Sequence, residues 1–150
     1  MPAPRAVPSE LLTFLNETLA LYEGLFASVE FERHYDASVT QVRLDPEQMK
    51  RVMINLIDNA IEAMGRQGVI VVETARDLPN SLVRIVVSDT GPGIPEAERD
   101  KLFLPYYSTK GRGSGLGLAI VRRIVAEHGG SIDVTDNLPT GTRFIIELPA

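Results

Sequence analysis

The stretch DPEQMKRVMINLIDNAIEAM, residues 45–64, contains the clearest helical pattern in the chain. Asp45 is a favourable N-cap residue, Pro46 suits the first helical position, and Gln48 stands three residues after the cap. The apolar residues that follow recur at intervals of three and four, so they share one face. They are Met49, Val52, Met53, Leu56, Ile57, Ala60, Ile61 and Met64. Because glycines follow at positions 65 and 68, the sequence predicts an amphipathic helix from residue 45 to about residue 64.

A polar stripe runs along the edge of this apolar face. Asn55, Asn59 and Glu62 are spaced by four and three residues, with Asp58 beside them. Asparagine is a middling helix former, and an amide oxygen is a neutral hard ligand that suits Mg²⁺ already carrying phosphate oxygens and water. A solvated helix flank is the competing interpretation. The stripe therefore gives Asn59 and Asn55 as candidate metal contacts.

The segments on either side alternate in hydrophobicity or are rich in valine and isoleucine, as strands are. A helix is predicted near the N-terminus, capped by Ser9, and another over 119–128, ended by two glycines. Strands are predicted over 29–35, 39–44, 69–75, 82–88, 131–135 and 142–148. This order favours an α/β sandwich with a mixed, mostly antiparallel sheet and helices on one face. Residues 1–8 contain three prolines and are predicted to be a linker or terminal extension, with the domain occupying residues 9–150.

A carboxylate leaves one of these strands and enters a loop with unusual backbone freedom, Asp89-Thr90-Gly91-Pro92-Gly93. Such an aspartate can accept a hydrogen bond from the exocyclic amine of adenine, while glycine lets a ring approach the main chain. The same sequence also suits an ordinary turn. Asp89 is therefore a candidate adenine contact.

An irregular segment over residues 96–113 contains a short acidic helix, several aromatic residues and Lys110. Such a segment is a candidate mobile lid, and Lys110 could contact phosphates, although a solvated surface explains it equally well. It leads through Gly115-Leu116-Gly117-Leu118 into a helix, and a helix start that follows a glycine-rich loop favours anions. Its spacing matches neither the phosphate loop of P-loop proteins nor a Rossmann fingerprint.

Composition restricts the functions open to this chain of 150 residues, 44% of them hydrophobic. Fifteen Lys and Arg against twenty Asp and Glu give a net charge of -5, which does not favour nucleic acid or an anionic membrane. The absence of cysteine excludes disulfides and thiolate nucleophiles, and His34 and His128 alone exclude a histidine-rich metal site. Both histidines are predicted to be structural. No apolar run approaches the roughly 20 residues that span a bilayer, so we expect a cytoplasmic domain.

Four motifs together resemble the ATP-binding catalytic domain of sensor histidine kinases. They are the Asn box (55–60), the Asp-Thr-Gly-Pro-Gly box (89–93), the Phe box (103–110) and the Gly-Ser-Gly-Leu-Gly-Leu box (113–118). They occur in the family's order, and the likeness extends over about residues 9–149. Local motifs most resemble the nitrogen-regulatory NtrY and NtrB branches. The resemblance implies the Bergerat fold, shared with gyrase, Hsp90 and MutL ATPases, and the ligands ATP or ADP and Mg²⁺.

The resemblance also implies a role for each matching residue. Asn55, Asn59 and Lys110 would act in phosphoryl transfer, and Asn59 would coordinate Mg²⁺. Asp89 would bind the adenine amine. The implied nucleotide contacts are Asn55, Asn59, Asp89, Gly91, Gly93, Ile94, Lys110, Gly113, Ser114, Gly115, Leu116, Gly117, Leu118 and Thr142.

One position distinguishes transfer from hydrolysis. The related ATPases place a glutamate four residues before the magnesium asparagine to activate water, and here that position is Asn55. An amide cannot accept that proton. We therefore expect slow hydrolysis and transfer of the γ-phosphate to another nucleophile.

The receiving nucleophile is not found in this sequence. Kinases of this family phosphorylate a histidine followed by an acidic residue, and neither His34-Tyr35 nor His128-Gly129 fits. We expect a catalytic fragment, monomeric and inactive in autophosphorylation alone, that acts on a histidine-bearing dimerisation domain and indirectly on a response regulator. The resemblance leaves open an inner-membrane anchor on the parent protein. The alternatives are a stand-alone Bergerat ATPase, a serine-kinase anti-sigma factor and a scaffold without nucleotide.

Overall fold

A computed structural model describes residues 3–105 and 117–150 of the chain. Its elements are β1 (Val7–Glu10), α1 (Leu11–Ala20), β2 (Val29–His34), β3 (Gln41–Leu44), α2 (Pro46–Ala63), β4 (Gly68–Asp77), β5 (Leu82–Ser88), α3 (Glu96–Arg99), α4 (Gly117–Glu127), β6 (Ser131–Asp136) and β7 (Thr142–Pro149). From α1 onward, the described elements follow the predicted order.

Five strands form one twisted sheet in the order β2-β4-β5-β7-β6. The pairs β4–β5, β5–β7 and β6–β7 are antiparallel, whereas β2 and β4 are parallel. A parallel pair needs a crossover, and here the chain passes through β3 and α2 between the two strands. The prediction of a mixed, mostly antiparallel sheet is confirmed.

Helices α1, α2 and α4 share a single apolar core with one face of the sheet. Alternate residues of β7, Phe144, Ile146 and Leu148, are buried against it, and the residues between them are partly exposed. Every apolar residue of the predicted α2 stripe is buried. Because burying a large apolar side chain contributes about 1.5–3 kcal/mol, this stripe fixes α2 firmly on the sheet. Helices on one face of the sheet are therefore confirmed.

Asp45 caps α2 as the sequence predicts. Its Oδ1 accepts hydrogen bonds from the backbone N–H groups of Glu47 (3.0 Å) and Gln48 (3.1 Å). Its Oδ2 accepts one from the Arg5 N–H at 2.8 Å. Burial opposes ionisation, but these backbone N–H donors together outweigh it and hold the pKa of Asp45 below its usual value. The cap thus also ties the N-terminal segment to α2.

The N-terminal region differs from the prediction in two ways. Strand β1 begins at Val7, two residues before the predicted start of the domain, because it pairs antiparallel with β3. The prediction that Ser9 caps α1 is wrong: Ser9 lies in β1, and its Oγ donates to the Val7 carbonyl. Glu10 occupies the cap position, and its side chain makes no capping hydrogen bond to the helix backbone. Alternating hydrophobicity identified β3 as a strand, but it could not indicate β1 as its partner.

Across residues 3–105 and 117–150, no helix combines the length and apolar character that crossing a membrane requires.

Candidate nucleotide site

Helix α2 carries the two asparagines that the sequence singled out. Asn55 and Asn59 are half-buried at the edge of its apolar face, and within the described residues neither amide is hydrogen bonded. Asp58 is turned away towards Tyr22, whose hydroxyl donates to Asp58 Oδ1 at 2.8 Å. Burial and then this carboxylate raise the pKa of Tyr22 well above its ordinary value. The polar stripe therefore divides into two amides available to a ligand and one structural acid.

Asp89 follows directly after β5 and is buried, with 4% of the residue exposed. Its Oδ1 accepts hydrogen bonds from the backbone N–H groups of Gly91 (2.9 Å) and Thr142 (3.3 Å). Within the described residues, no donor contacts Oδ2. Burial raises the pKa of Asp89 even though the two N–H donors act in the opposite direction. Oδ2 is thus a preorganised acceptor for an N–H group of a ligand.

The turn between β6 and β7 holds the Asp89 loop in place. Asn137 Nδ2 donates to the Asp89 carbonyl oxygen at 2.7 Å, and Thr140 Oγ1 donates to the Gly91 carbonyl at 2.8 Å. Gly141 has a φ of +118°, and a Cβ there would overlap the Asp89 carbonyl oxygen. The close approach of the two backbones therefore requires glycine at position 141.

Sequence reasoning missed these supporting residues, because residues 137–141 form only the connection between two predicted strands. The topology contains the signal that could have found them. In the β5–β7 pair, Ser88 lies opposite Arg143, so the residues just before β7 must lie beside the residues just after β5. A polar turn followed by glycine at that position predicts contacts to the Asp89 loop.

The Asp89 loop also packs on the C-terminal end of α2. A Cβ at Gly91 would lie 3.2 Å from the backbone carbon and oxygen of Ala63, one helical turn beyond Asn59. Thr90 Oγ1 accepts from the Val69 N–H at 3.1 Å and lies 3.4 Å from Met64 Sδ. These contacts fix Asp89 relative to α2.

The N-terminus of α4 lies farther back along the same helix. Gly117 is the first residue of α4, and a Cβ on it would lie 3.5 Å from Asn55 Oδ1. The first N–H groups of a helix have no intrahelical acceptor and carry the positive end of its dipole. Asn59 lies four residues from both Asn55 and Ala63, about 6 Å along the axis from each. The Asp89 loop at the C-terminal end of α2 and the α4 N-terminus beside Asn55, near the middle of α2, therefore lie along the same helix.

Helix α3 and the residues after it are attached to the same edge. Arg99 Nε donates to the Ile94 carbonyl at 3.3 Å, and its guanidinium pairs with Asp136. Phe103 packs edge-on against Phe144, with ring centroids 6.4 Å apart. Phe103 thus packs against the core at this edge, and the predicted short acidic helix is α3.

The structure brings most of the predicted site together along one edge. Asp89, Gly91 and Thr142 form one hydrogen-bonded group, and Gly93, with a φ of +82°, lies against the Gly141 carbonyl. Ile94 and Leu118 are half-buried against the core. Five predicted contacts lie outside the described residues: Lys110, Gly113, Ser114, Gly115 and Leu116.

These residues fit a magnesium nucleotide. Asp89 Oδ2 offers an acceptor, Gly91 lets the Asp89 loop pack closely on α2, and the α4 N-terminus offers N–H donors near Asn55. Within the described residues, no three His, Cys, Asp or Glu side chains form a group that could hold a metal ion alone. A magnesium ion held by amide oxygens would therefore draw its remaining oxygen ligands from phosphate and water.

A mixed sheet covered by helices on one face, with a buried carboxylate at the C-terminal end of α2 and a helix N-terminus beside the middle of α2, is the arrangement of a nucleotide-binding α/β sandwich. The chain belongs to the family of histidine kinase-, DNA gyrase B- and HSP90-like ATPases, which it matches over residues 44–150. Its predicted fold and family are thereby confirmed.

The curated relatives are named sensor histidine kinases. ZraS of Escherichia coli (strain K12) is 38% identical over 142 residues, covering 93% of this chain and 30% of ZraS. NtrB of Escherichia coli O157:H7, described as a sensory histidine kinase/phosphatase, is 37% identical over 131 residues, covering 81% of this chain and 37% of NtrB. The predicted likeness to the NtrB branch is confirmed. The chain spans about a third of the length of these relatives.

Solved structures give the same result. The catalytic domain of histidine kinase ThkA, in a nucleotide-free form, has a TM-score of 0.87 and 36% identity, with coverage of 97% of this chain and 95% of that chain. ThkA has also been solved in complex with the response regulator protein TrrA, with a TM-score of 0.84 and 34% identity, where the match covers 97% of this chain and 42% of that one. The chain thus corresponds to nearly all of an isolated histidine kinase catalytic domain.

Proposed function

We propose that this domain binds Mg-ATP and transfers the γ-phosphate to a histidine on a separate dimerisation domain. One observation carries the proposal: the buried Asp89 carboxylate has Oδ1 bound by two backbone N–H groups and Oδ2 without a donor from the described residues. It lies at one end of α2, and the amides of Asn59 and Asn55, which have no hydrogen-bond partner among the described residues, follow towards the middle of the helix.

Asp89 would select adenine. Its Oδ2 would accept a hydrogen bond from the exocyclic amine, because Oδ1 already accepts from Gly91 and Thr142. Gly91 has no side chain to block the ring, and a Cβ there would contact both Ala63 and Asp89 Oδ1. Gly93 and Ile94 would line the same side of the base.

The phosphates would lie towards Asn55 and the α4 N-terminus. The N–H groups at Gly117 and Leu118 would bind phosphate oxygens, and the amide oxygens of Asn59 and Asn55 would bind Mg²⁺ and its water. Bound Mg²⁺ would neutralise the charge that develops in phosphoryl transfer. The remaining phosphate contacts stay predictions, and they involve Lys110 and the loop residues Gly113, Ser114, Gly115 and Leu116.

Transfer is favoured over hydrolysis by what surrounds Asn55. An amide cannot act as a general base, and the two acids nearest Asn55 and Asn59 on the same helix, Asp58 and Glu62, are engaged elsewhere. Asp58 accepts from the Tyr22 hydroxyl, and Glu62 pairs with Arg66 at 3.6 Å. Among the described residues, no general base therefore lies beside the proposed phosphate site to activate water. A positioned histidine can attack the γ-phosphate without such a base.

The partners follow from the relatives. Because the relatives are sensor histidine kinases of greater length, we propose that the receiving histidine belongs to a dimerisation domain of the same parent protein. A response regulator would then take the phosphate from that histidine, as the ThkA–TrrA complex suggests. The domain itself would be monomeric and cytoplasmic, whether or not the parent is anchored in the inner membrane.

Radiolabelled ATP tests the proposal directly. The domain is incubated with γ-labelled Mg-ATP and a helical dimerisation domain that carries a receiving histidine. We expect acid-labile label on that domain and none when its histidine is replaced by alanine. Asp89→Asn should abolish labelling. Asp133→Asn, an equal charge change at an exposed position of β6, should preserve it.

Three results would contradict the proposal. Persistent failure to label several such partners would exclude the kinase role, and rapid phosphate release by the isolated chain would favour a stand-alone ATPase. Label appearing on a serine of an anti-sigma-factor antagonist would favour a serine kinase.

A further inference from the structure

Helices α2 and α4 approach each other closely at two levels, and a hydrogen bond joins them at the second. At the nucleotide end, Gly117 lies beside Asn55 Oδ1. At the other end, His128, the residue after α4, contacts Asp45, the cap of α2. The helices are therefore antiparallel, and the two contacts are about 15 Å apart along α2.

The ring of His128 makes two hydrogen bonds of opposite sense. Nδ1 lies 2.8 Å from the Ile124 carbonyl oxygen, which can only accept. Nε2 lies 3.0 Å from the Asp45 backbone nitrogen, which can only donate. The two partners therefore fix the neutral tautomer with its proton on Nδ1.

The sequence predicted a structural His128 that complements the dipole of α4. The contact with the Ile124 carbonyl agrees with that role. The contact with Asp45 does not follow from it, since it joins residues 83 positions apart in the chain. Gly129, with a φ of +78°, already ends α4, and the Gly129 N–H bonds the Ala126 carbonyl at 2.9 Å. Helix termination alone thus leaves the Nε2 contact unexplained.

Between the two levels, contact between the helices is apolar. Buried Val121, Ile124 and Val125 of α4 share the core with the apolar face of α2. Apolar packing is not directional, so it resists sliding of one helix along the other less specifically than a hydrogen bond does. The Nε2 contact with Asp45 is directional and lies at the far end of α4 from Gly117.

We propose that His128 is a positioning residue that sets the axial register of α4 against α2. Through that register it places the Gly117 N-terminus beside Asn55, where the proposed function puts the phosphates. The inference rests on that proposed function for its ligand. It assigns the effect to the Nε2 acceptor and not to the Nδ1 donor.

Two substitutions separate these atoms. The oxygen of a glutamine side chain extends as far as Nε2, so His128→Gln keeps an acceptor for Asp45. An asparagine amide extends as far as Nδ1, so His128→Asn keeps the donor to Ile124 and loses the acceptor. If His128 merely ends the helix, asparagine should be the better replacement. If His128 sets the register through Nε2, glutamine should be the better replacement.

Calorimetric titration with Mg-ADP, with thermal unfolding measured in parallel, tests this order. We expect His128→Asn to weaken binding about 3- to 10-fold and His128→Gln to stay within about 2-fold of the original chain. Equal affinities for both variants, or the reverse order, would overturn the proposal. If the original chain itself fails to bind Mg-ADP, the proposed function fails instead.

The tautomer supplies a test that needs neither nucleotide nor a folded variant. Nitrogen-15 NMR of the histidine-labelled chain should show His128 with its proton on Nδ1 and an accepting Nε2. Exposed His34 serves as the internal reference. A proton on Nε2 of neutral His128 would refute the contact with Asp45.

Discussion

Replacing Asp89 by asparagine tests the adenine site with little change in shape. The asparagine oxygen can still accept from the Gly91 and Thr142 N–H groups, which occupy Oδ1 in the structure. Its NH₂ group would then replace Oδ2 and would meet the adenine amine donor to donor. A hydrogen bond to a charged acceptor contributes about 1.5–3 kcal/mol, and an unpaired buried donor costs about 1–3 kcal/mol. Since about 1.4 kcal/mol is a factor of ten, the Kd for Mg-ATP should rise about 100-fold or more.

The same substitution should not weaken the fold at neutral pH. Burial raises the pKa of Asp89 above the value of 3.8 that it has in the unfolded chain. The native state therefore binds the proton of the Asp89 carboxyl group more tightly than the unfolded chain does. The free energy of unfolding consequently falls as the pH rises through the window that begins at 3.8. The substituted amide never ionises, so Asp89→Asn should gain stability relative to the original chain above this window. The difference should shrink as pH falls towards 3.8.

Isothermal titration calorimetry with Mg-ATP and urea unfolding at several pH values measure both effects. Asp133→Asn, at an exposed position, controls for the change in net charge. An unchanged Kd in a folded Asp89→Asn protein would refute the adenine assignment. A loss of stability at neutral pH would refute the argument from burial.

Two further substitutions test the packing around the site. Gly141→Ala should lower the free energy of unfolding by about 1–3 kcal/mol, because its Cβ would overlap the Asp89 carbonyl oxygen. Gly24→Ala, at a φ of +80° with no atom within 4 Å, controls for backbone strain, and equal losses would contradict the overlap. Tyr22→Phe should cost about 0.5–1.5 kcal/mol at neutral pH through the lost bond to Asp58. Because the folded-state pKa of Tyr22 is raised, the original chain should lose stability above pH 10.0 more steeply than Tyr22→Phe, and parallel pH profiles would refute this.

The sequence predicted the parts of this fold that depend on local pattern. The spacing of apolar residues located α2 within one residue at its C-terminal end, and the Asp45-Pro46 pair located its start. Both signals act through neighbours three or four residues away, so they can be read from a short window. The valine and isoleucine runs of β4 and β5 and the alternation of β7 are equally local signals.

Contacts between residues far apart in the sequence were harder to predict. The pairing of β1 with β3 depends on two strands separated by a helix and another strand, and Val7 and Pro8 show no alternation that would reveal it. Asn137 looks like any turn residue until the β5–β7 register places it against the Asp89 carbonyl. His128 was correctly expected to be structural, but its partner Asp45 is 83 residues away. In each case, the local sequence does not show which distant segment of the backbone lies beside the residue.

The short ladder between β1 and β3 has a mechanical consequence. Strand β1 is joined to β3 by main-chain pairing, and Leu44, the last residue of β3, is followed at once by Asp45. Tension along β1 would load this ladder in shear and would be carried into the first turn of the helix that bears both asparagines. Because main-chain pairing depends little on side-chain identity, such a coupling would tolerate wide variation in the residues of β1 itself.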